Sequence, residues 1–467
     1  MSEAQDERVG SDAGEDENTA PTYGLNEEIV QDIQEAIERE DSAYLHEKLE
    51  DWHAADVADL IEQLKPKLRL PFMRIMEDRI DPDVYSALDE NVREHLVDEM
   101  EPAEIAAFIN ELELDDAVDF LENFEEEDRR DVLNQIPPDE RAVLQEGLSY
   151  GEDTAGRLMQ RDLIAVPEYW NIGQTIDYMR DTENLPDEFY EIFVVDPRHH
   201  PIGTIPLNRA MRSKRHVMVR DIMDAEQKLI PVDMDQEEVA YLFKQYRLAS
   251  AAVVNDDGAL IGVITVDDIV DVINEEAEED ILRLGGVSED DLFSSVYRTI
   301  RARFPWLFVN LLTALAASFA ISLFDATMEA VIALAVLMPI AASMGGNAGT
   351  QALTVAVRAL ATKELTTANM FRILNKEALV ALTNGSIFAC MVGTVAWLWF
   401  GNPLIGGIVA AALVVNILVA GVIGMIVPVM LERLKIDPAI ASGVFVTTVT
   451  DIVGFVVFLG LATLILL

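Results

Sequence analysis

The chain is poor in cysteine, histidine and lysine, and each shortage removes a class of function. Its 467 residues include one cysteine, Cys390, inside an apolar stretch, so neither a disulfide framework nor a CxxC zinc motif can be assembled. All 6 histidines precede the apolar C-terminal third, which rules out histidine-based chemistry within a membrane. Basic residues number 34 against 83 acidic ones, and the net charge of -49 excludes electrostatic binding to nucleic acid and opposes docking on anionic lipid. No P-loop, zinc triad or nucleophile paired with a base is found, so the sequence supports no enzyme. The stretch through Asn18 has neither a basic nor an apolar run, which predicts no cleavable leader and a disordered acidic tail over 1–25.

What is present is divided sharply. From Phe304 onward there are 7 acidic and 6 basic residues, so the soluble part carries almost all of the charge. With 9 Lys against 25 Arg, the acidic, Lys-poor surface fits a halophile, in which charge keeps a protein soluble in concentrated salt. On that reading only local acidic clusters, not the total charge, point to sites for multivalent cations.

Residues 26–150 repeat a short helical pattern. Ile105, Phe108, Ile109 and Leu112 form an i, i+3, i+4, i+7 stripe, and Pro102 and Pro138 suit first helical turns with acidic neighbours. The expectation is an α-helical superhelix. Over 151–218 and 219–280 the pattern changes to two βαβ-like copies about 60 residues apart. Ile164-Ala165-Val166, Phe193-Val194-Val195 and Pro201-Ile202-Gly203-Thr204 are the strands of the first. Leu229-Ile230-Pro231-Val232, Ala252-Val253-Val254 and Leu260-Ile261-Gly262-Val263-Ile264-Thr265 are those of the second. The pair resembles tandem CBS domains, α/β regulatory modules that often bind adenosyl ligands. Their nucleotide signature, Ser/Thr-x-x-Asp after a strand, is met by Thr265 and Asp268. Copy one lacks that Asp and has Arg209 in the run Ile205-Pro206-Leu207-Asn208-Arg209, so ATP has one complete signature rather than two.

Asp267, Asp268, Asp271, Glu275, Glu276, Glu278, Glu279 and Asp280 crowd into 14 residues after the second copy. On a helix Asp268, Asp271 and Glu275 share a face and repel one another unless a cation intervenes, although a solvated acidic face is the plain alternative. Mg²⁺ and Ca²⁺ take oxygen ligands, and Mg²⁺ often uses one or two carboxylates while keeping waters. Ser288 reads as an N-cap followed by Glu289, Asp290 and Asp291. Leu292, Phe293, Val296, Tyr297 and Ile300 give an apolar stripe to a connecting helix over 281–303.

Five apolar stretches follow in 304–467, near Phe304 to Phe324, Met328 to Val357, Ala378 to Phe400, Leu404 to Leu431 and Pro438 to Leu467. Each is long enough for a bilayer core of about 30 Å. Arg298, Arg301 and Arg303 precede the first; Arg358, Lys363, Arg372 and Lys376 follow the second; Arg433 and Lys435 follow the fourth. The other connections have no Lys or Arg. The positive-inside rule predicts a multi-pass protein of the cell membrane with its N-terminus in the cytoplasm and its C-terminus outside.

Polar residues within the spans are few. The second holds Pro339, Gly345, Gly346, Asn347, Gly349 and Gln351, a run expected to interrupt the helix. The fourth holds Asn416. The fifth has Gly443, Thr447, Asp451 and Gly454, with Asp451 its only ionisable group beyond Pro438. Small residues alone are packing faces, but a carboxylate at that depth costs several kcal/mol unless it faces protein or a water-filled path. A cation pathway is the default; a protonated or structural Asp is the alternative.

The order of these parts, with Met338-Pro339-Ile340-Ala341-Ala342-Ser343-Met344-Gly345-Gly346-Asn347-Ala348-Gly349-Thr350-Gln351 in the second span and Thr447-Thr448-Val449-Thr450-Asp451-Ile452-Val453-Gly454 in the fifth, resembles the MgtE family of magnesium channels. The resemblance implies a homodimer with a central pore. Asp451 would supply one carboxylate per subunit to a hydrated Mg²⁺, with Pro339, Gly345, Gly346, Asn347, Gln351, Asn416, Thr447 and Thr448 lining the path. It also implies closure by cytosolic Mg²⁺ at Asp115, Asp119, Glu237, Asp268, Asp271, Glu276, Glu279 and Asp280. A channel for Co²⁺, Mn²⁺ or Ca²⁺ and a non-transporting CBS sensor anchored in the membrane are the rivals. The absence of His or Cys around Asp451 disfavours softer metals, and an anchor needs no intramembrane Asp.

Overall fold

The computed structural model describes residues 25–467 except 51, 77–78, 98–99, 123, 125, 183–184, 187–188, 288–295 and 367. The expected tail through residue 24, the Ser288 cap with its acidic first turn, and Leu292 and Phe293 lie outside the described residues. The chain divides after Gly151 into two units, each treated by itself.

The first unit is built from short helices: α1 (Glu27–Glu38), α2 (Ser42–Leu49), α3 (Ala54–Gln63), α4 (Pro66–Met76), α5 (Asp83–Ser86), α6 (Glu90–Val97), α7 (Pro102–Ile109), α8 (Leu114–Glu122), α9 (Glu126–Leu133) and α10 (Pro138–Gly147). Pro102 and Pro138 occupy first turns, where a missing N–H costs nothing. No helix is longer than the 12 residues of α1, so each needs its neighbours for stability. They share one core in which Phe72 and Phe120 are fully buried and Tyr85 stacks on Phe108 at 4.1 Å. Each buried aromatic of this kind contributes about 1.5–3 kcal/mol.

The second unit begins with the two α/β copies. β1 (Ala165–Pro167), α11 (Ile172–Asp181), β2 (Glu191–Val195), β3 (Pro201–Pro206), α12 (Leu207–Arg212) and α13 (Val219–Ile222) form the first. β4 (Leu229–Pro231), α14 (Gln236–Tyr246), β5 (Ser250–Val254) and β6 (Leu260–Thr265) form the second, ending in α15 (Val266–Leu284). In each the first strand runs parallel to the second and the second antiparallel to the third, with the same bulge at Val194/Val195 and Val253/Val254. The copies also exchange backbone bonds: Gln160 pairs with Val263 of β6, and Asp224 with Thr204 of β3. Gly262 and Gly203 permit this, since a Cβ there would lie 2.9 Å from the Gln160 carbonyl oxygen and 2.7 Å from that of Asp224. The pair is thereby one body.

Five helices are long and apolar enough to cross a membrane: α16 (Val296–Ser322), α18 (Ile332–Ala361), α19 (Met370–Phe400), α20 (Pro403–Arg433) and α21 (Pro438–Leu466), with the short α17 (Asp325–Ala330) before α18. α20 is central, packing on α18, α19 and α21; 56% of its most apolar window is buried, against 11% for α16, which presents its side chains outward.

One expectation is corrected. α18 runs unbroken through Pro339 and its glycines. The glycines permit close helix approach instead: a Cβ at Gly349 would strike Val446, and one at Gly345 would overlap the Asn416 amide. α15 starts directly on β6, where Thr265 and Asp268 form a capping box at the strand end, and ends at Leu284. Of the connecting helix expected over 281–303, residues 288–295 lie outside the described residues and 296–303 are helical as the start of α16.

α18 also crosses α20 closely. A Cβ on Gly424 would sit 2.6 Å from the Gly349 carbonyl oxygen and 2.8 Å from the Ala352 Cβ. Gly424→Ala is expected to destabilise the purified protein by about 1–3 kcal/mol. The check is its thermal unfolding midpoint in detergent, and an unchanged midpoint would show that the crossing yields freely.

Candidate functional site

In the membrane part, α18 and α21 pack together, and each separates its small residues from its polar ones. On α18 the inward row is Leu334, Leu337, Ala341, Gly345, Gly349 and Ala352. Pro339, Ser343, Asn347 and Gln351, at four-residue steps, form an exposed row on the other side. On α21, Val446, Thr450 and Gly454 are buried, and the gap at Gly349 that receives Val446 and Thr450 sets the two helices at one depth. Asp451, next to Thr450, is half-buried, as are Thr447 and Thr448. Among the described residues Asp451 has no hydrogen bond or ion pair.

Two half-buried threonines are prepared for water. Thr447 donates to the Gly443 carbonyl at 2.9 Å and Thr448 to the Val444 carbonyl at 2.6 Å, while the fully buried Thr450 donates to the Thr447 carbonyl at 3.0 Å. With their protons given to their own helix, the Thr447 and Thr448 oxygens retain lone pairs that can accept from water.

Several expected pore residues are located elsewhere. Asn416 is fully buried, its Nδ2 donating to the Ala341 carbonyl at 2.9 Å while its Oδ1 has no partner among the described residues. It fills the space left by Gly345 on α18 and Gly454 on α21. Asn416 and Gly345 are therefore packing residues, and the expected stripe of Gly443, Thr447, Asp451 and Gly454 splits because Gly454 belongs to the inward face. Gly346 is half-exposed with open space at its Cβ position. Ser343 was missed; its i+4 relation to Pro339 and Asn347 was the available signal.

The cytosolic carboxylates meet where α14 packs on α15. Glu237 faces Glu276 and Asp280 across the helices, and Gln236 Nε2 donates to Glu276 Oε1 at 2.5 Å. Although Glu237 keeps an exposed edge, desolvation of its carboxyl, then the charges of Glu276, Asp235 and Asp280, push it up to about 7. Burial, with Asp437 and Glu276 beside it, raises Asp280 to about 6. Burial also raises Glu276. Such groups resist ionisation because burial strips them of water and like charges crowd them, and a divalent cation relieves the second condition. Among the described residues no three His, Cys, Asp or Glu stand close enough to hold a metal outright.

The other expected ligands are dispersed. Asp271 is exposed. Glu279 is ion-paired with Arg283. Asp268 accepts from Thr265 Oγ1 at 2.8 Å and from Gln160 Nε2 at 3.4 Å. At the matching place in copy one, Arg209 donates to the Ile222 carbonyl at 3.0 Å. In the first unit Asp115 and Asp119 lie one turn apart on α8, and Asp119 is paired with Arg93 at 3.0 Å. Asp116 between them, which sequence reading passed over, is raised by burial, a rise that the nearby Ser86 partly offsets. Asp437, the N-cap of α21, was also missed; the Asp-Pro step at 437–438 was its signal.

Five apolar helices following a CBS pair, with an unpartnered acid on one of them, define a multi-pass membrane protein. Residues 338–461 match the MgtE family described as a divalent cation transporter, 52–153 the MgtE intracellular N domain and 219–275 a CBS domain. The chain is 32% identical over 449 residues to the magnesium transporter MgtE of Thermus thermophilus, covering 95% of this chain and 99% of that one. It is 29% identical over 411 residues to the magnesium transporter MgtE of Bacillus subtilis, covering 87% and 91%. A crystal structure of the soluble part of a magnesium transporter is similar at 24% identity and a TM-score of 0.49, covering 54% of this chain and 99% of that one. The cytosolic domain of the Mg²⁺ channel MgtE in complex with ATP is similar at 25% identity and a TM-score of 0.36, covering 50% and 99%. The chain belongs to the MgtE family of membrane transporters.

Proposed function

We propose that this chain is a Mg²⁺ channel that works as a homodimer, conducts along the Asp451 face of α21, and is closed by cytosolic Mg²⁺ at Glu237, Glu276 and Asp280. The supporting observation is the exposed row Ser343, Asn347 and Gln351 on α18, set at the depth of an unpartnered Asp451. Polar groups at that depth do not face lipid, so a second copy covers them and leaves water between. Two Asp451 carboxylates then attract one divalent ion through its water shell, and Thr447 and Thr448 accept hydrogen bonds from those waters. Outer-sphere contact suits Mg²⁺, which dehydrates reluctantly. That its relatives are named magnesium transporters supports Mg²⁺, rather than Co²⁺, Mn²⁺ or Ca²⁺, as the ion carried. With the N-terminus in the cytoplasm, an odd number of spans places the C-terminus outside.

Closure follows from linkage. Bound Mg²⁺ stabilises whichever arrangement brings Glu237 of α14 against Glu276 and Asp280 of α15. At the end of α15, Leu284 packs with Leu353 and Val357 of α18 and Ala439 of α21, so that arrangement is felt by both helices of the conducting face. ATP at Thr265 and Asp268 would compete with the capping box and Gln160, and gating is assigned to Mg²⁺ alone.

The test is flux into liposomes holding the full chain. Mg²⁺ uptake is expected at low internal Mg²⁺ and loss of it at high internal Mg²⁺. An absence of Mg²⁺ uptake, or faster Co²⁺, Mn²⁺ or Ca²⁺ uptake, would refute the reading.

A further inference from the structure

We propose that Arg283 is a built-in counter-cation of the gate, a positioning residue that sets how much Mg²⁺ closure requires; this rests on the gating reading above. Arg283 lies in the last turn of α15. Its Nη1 donates to Asp437 Oδ2 at 2.5 Å, and its other terminal nitrogen is ion-paired with Glu279 one turn back. Asp437 is the N-cap of α21, its Oδ1 accepting from the Ala439 amide at 2.7 Å. One guanidinium thus joins the end of α15 to the first turn of the helix that carries Asp451.

Three carboxylates belong to this junction. Glu279 and Arg283 have side chains only 16% and 35% exposed, and Asp437 26%. Asp280 lies close enough to Asp437 and Glu276 to feel both charges. Without the guanidinium, Glu279, Asp280 and Asp437 would face one another with no positive charge from the protein among these side chains. Arginine suits the task because it stays charged at any physiological pH and its planar fork reaches two carboxylates at once. Neighbouring Leu284 seats on α18 and α21, so movement of Arg283 moves a packed contact as well as a charge.

Part of the closed arrangement is therefore held by the protein's own cation, and Mg²⁺ supplies the remainder. Arg283 lowers the Mg²⁺ concentration for closure without touching the conducting path.

The experiment is Mg²⁺ flux in liposomes against internal Mg²⁺ for the full chain and for Arg283→Gln, Arg283→Lys and the double variant Arg283→Gln/Asp437→Asn. Arg283→Gln is expected to raise the half-closing concentration about three- to tenfold and leave flux at zero internal Mg²⁺ unchanged. Arg283→Lys recovers part of the shift, since the charge remains and the fork is lost. The double variant moves back toward the parent, because a facing carboxylate leaves together with the cation. A residue that only supports folding would lower zero-Mg²⁺ flux and sample homogeneity in all three variants. A gated parent with an unmoved threshold in Arg283→Gln, or equal shifts for Gln and Lys, would overturn the proposal. A parent with no Mg²⁺-dependent closure would remove the gating reading itself and this inference with it.

Discussion

Asp451→Asn is expected to lower Mg²⁺ flux into liposomes by more than about tenfold while the protein still folds. The half-buried carboxylate has no fixed partner among the described residues, so its charge is available to a passing ion rather than to the bundle. Losing as little as about 2 kcal/mol of attraction lowers ion occupancy more than tenfold. In the proposed dimer the substitution removes both charges. Asp451→Glu keeps the charge on a longer arm and retains part of the flux. Folding should hardly change, because Val446, Thr450 and Gly454, not Asp451, form the inward face of α21. Parent-like flux in the Asn variant would take Asp451 out of the pore and remove the basis of the channel reading.

The second large effect concerns Mg²⁺ sensing and its dependence on pH. With α14 and α15 packed, the Glu237 carboxyl titrates at about 7, above its ordinary 4.5. For an acid raised in this way, packing is favoured at low pH and loses stability as pH rises through the window from about 4.5 to about 7. Above that window Glu237 is ionised and Mg²⁺ can replace the proton; below it Mg²⁺ must displace the proton. Competition with a group titrating near 7 raises the half-closing Mg²⁺ concentration about tenfold between about pH 8 and about pH 6. Glu237→Gln/Glu276→Gln removes most of that pH dependence, leaving the smaller part from Asp280, which titrates at about 6. The double variant should also stay compact without Mg²⁺, since the repulsion has gone, and respond weakly when Mg²⁺ is added. Flux inhibition and Mg²⁺-dependent protection from protease measure the two halves of the effect. In molar KCl the parent's half-closing concentration should rise, because screening weakens attraction between carboxylates and the ion. A parent threshold that is the same at both pH values would show that Glu237 does not bind the closing ion.

Much of this organisation is legible in one dimension because it rests on periodicity and solvation. Apolar length reveals five spans, short apolar strand runs at a 60-residue interval reveal two like copies, and a carboxylate alone in an apolar helix reveals itself by its desolvation cost. Glu237, Glu276 and Asp280 were assigned through family resemblance, and the fold brings them together across two helices. The errors share a cause. Gly345 and Gly349 resemble helix breakers in the chain, whereas in the bundle the Asn416 amide and Val446 occupy their missing side-chain space. Asn416 reads as a pore polar residue until its neighbours are seen to enclose it.

Sequence alone determined the family, the spans, the paired modules and the candidate ion-binding acid, all of which follow from local pattern and the cost of putting charge in hydrocarbon. Tertiary structure decided which polar residues turn outward, which glycines are contact points, and that Arg283 already neutralises part of the acidic junction. Those properties depend on distances between residues as far apart as Arg283 and Asp437, which only helix packing brings together.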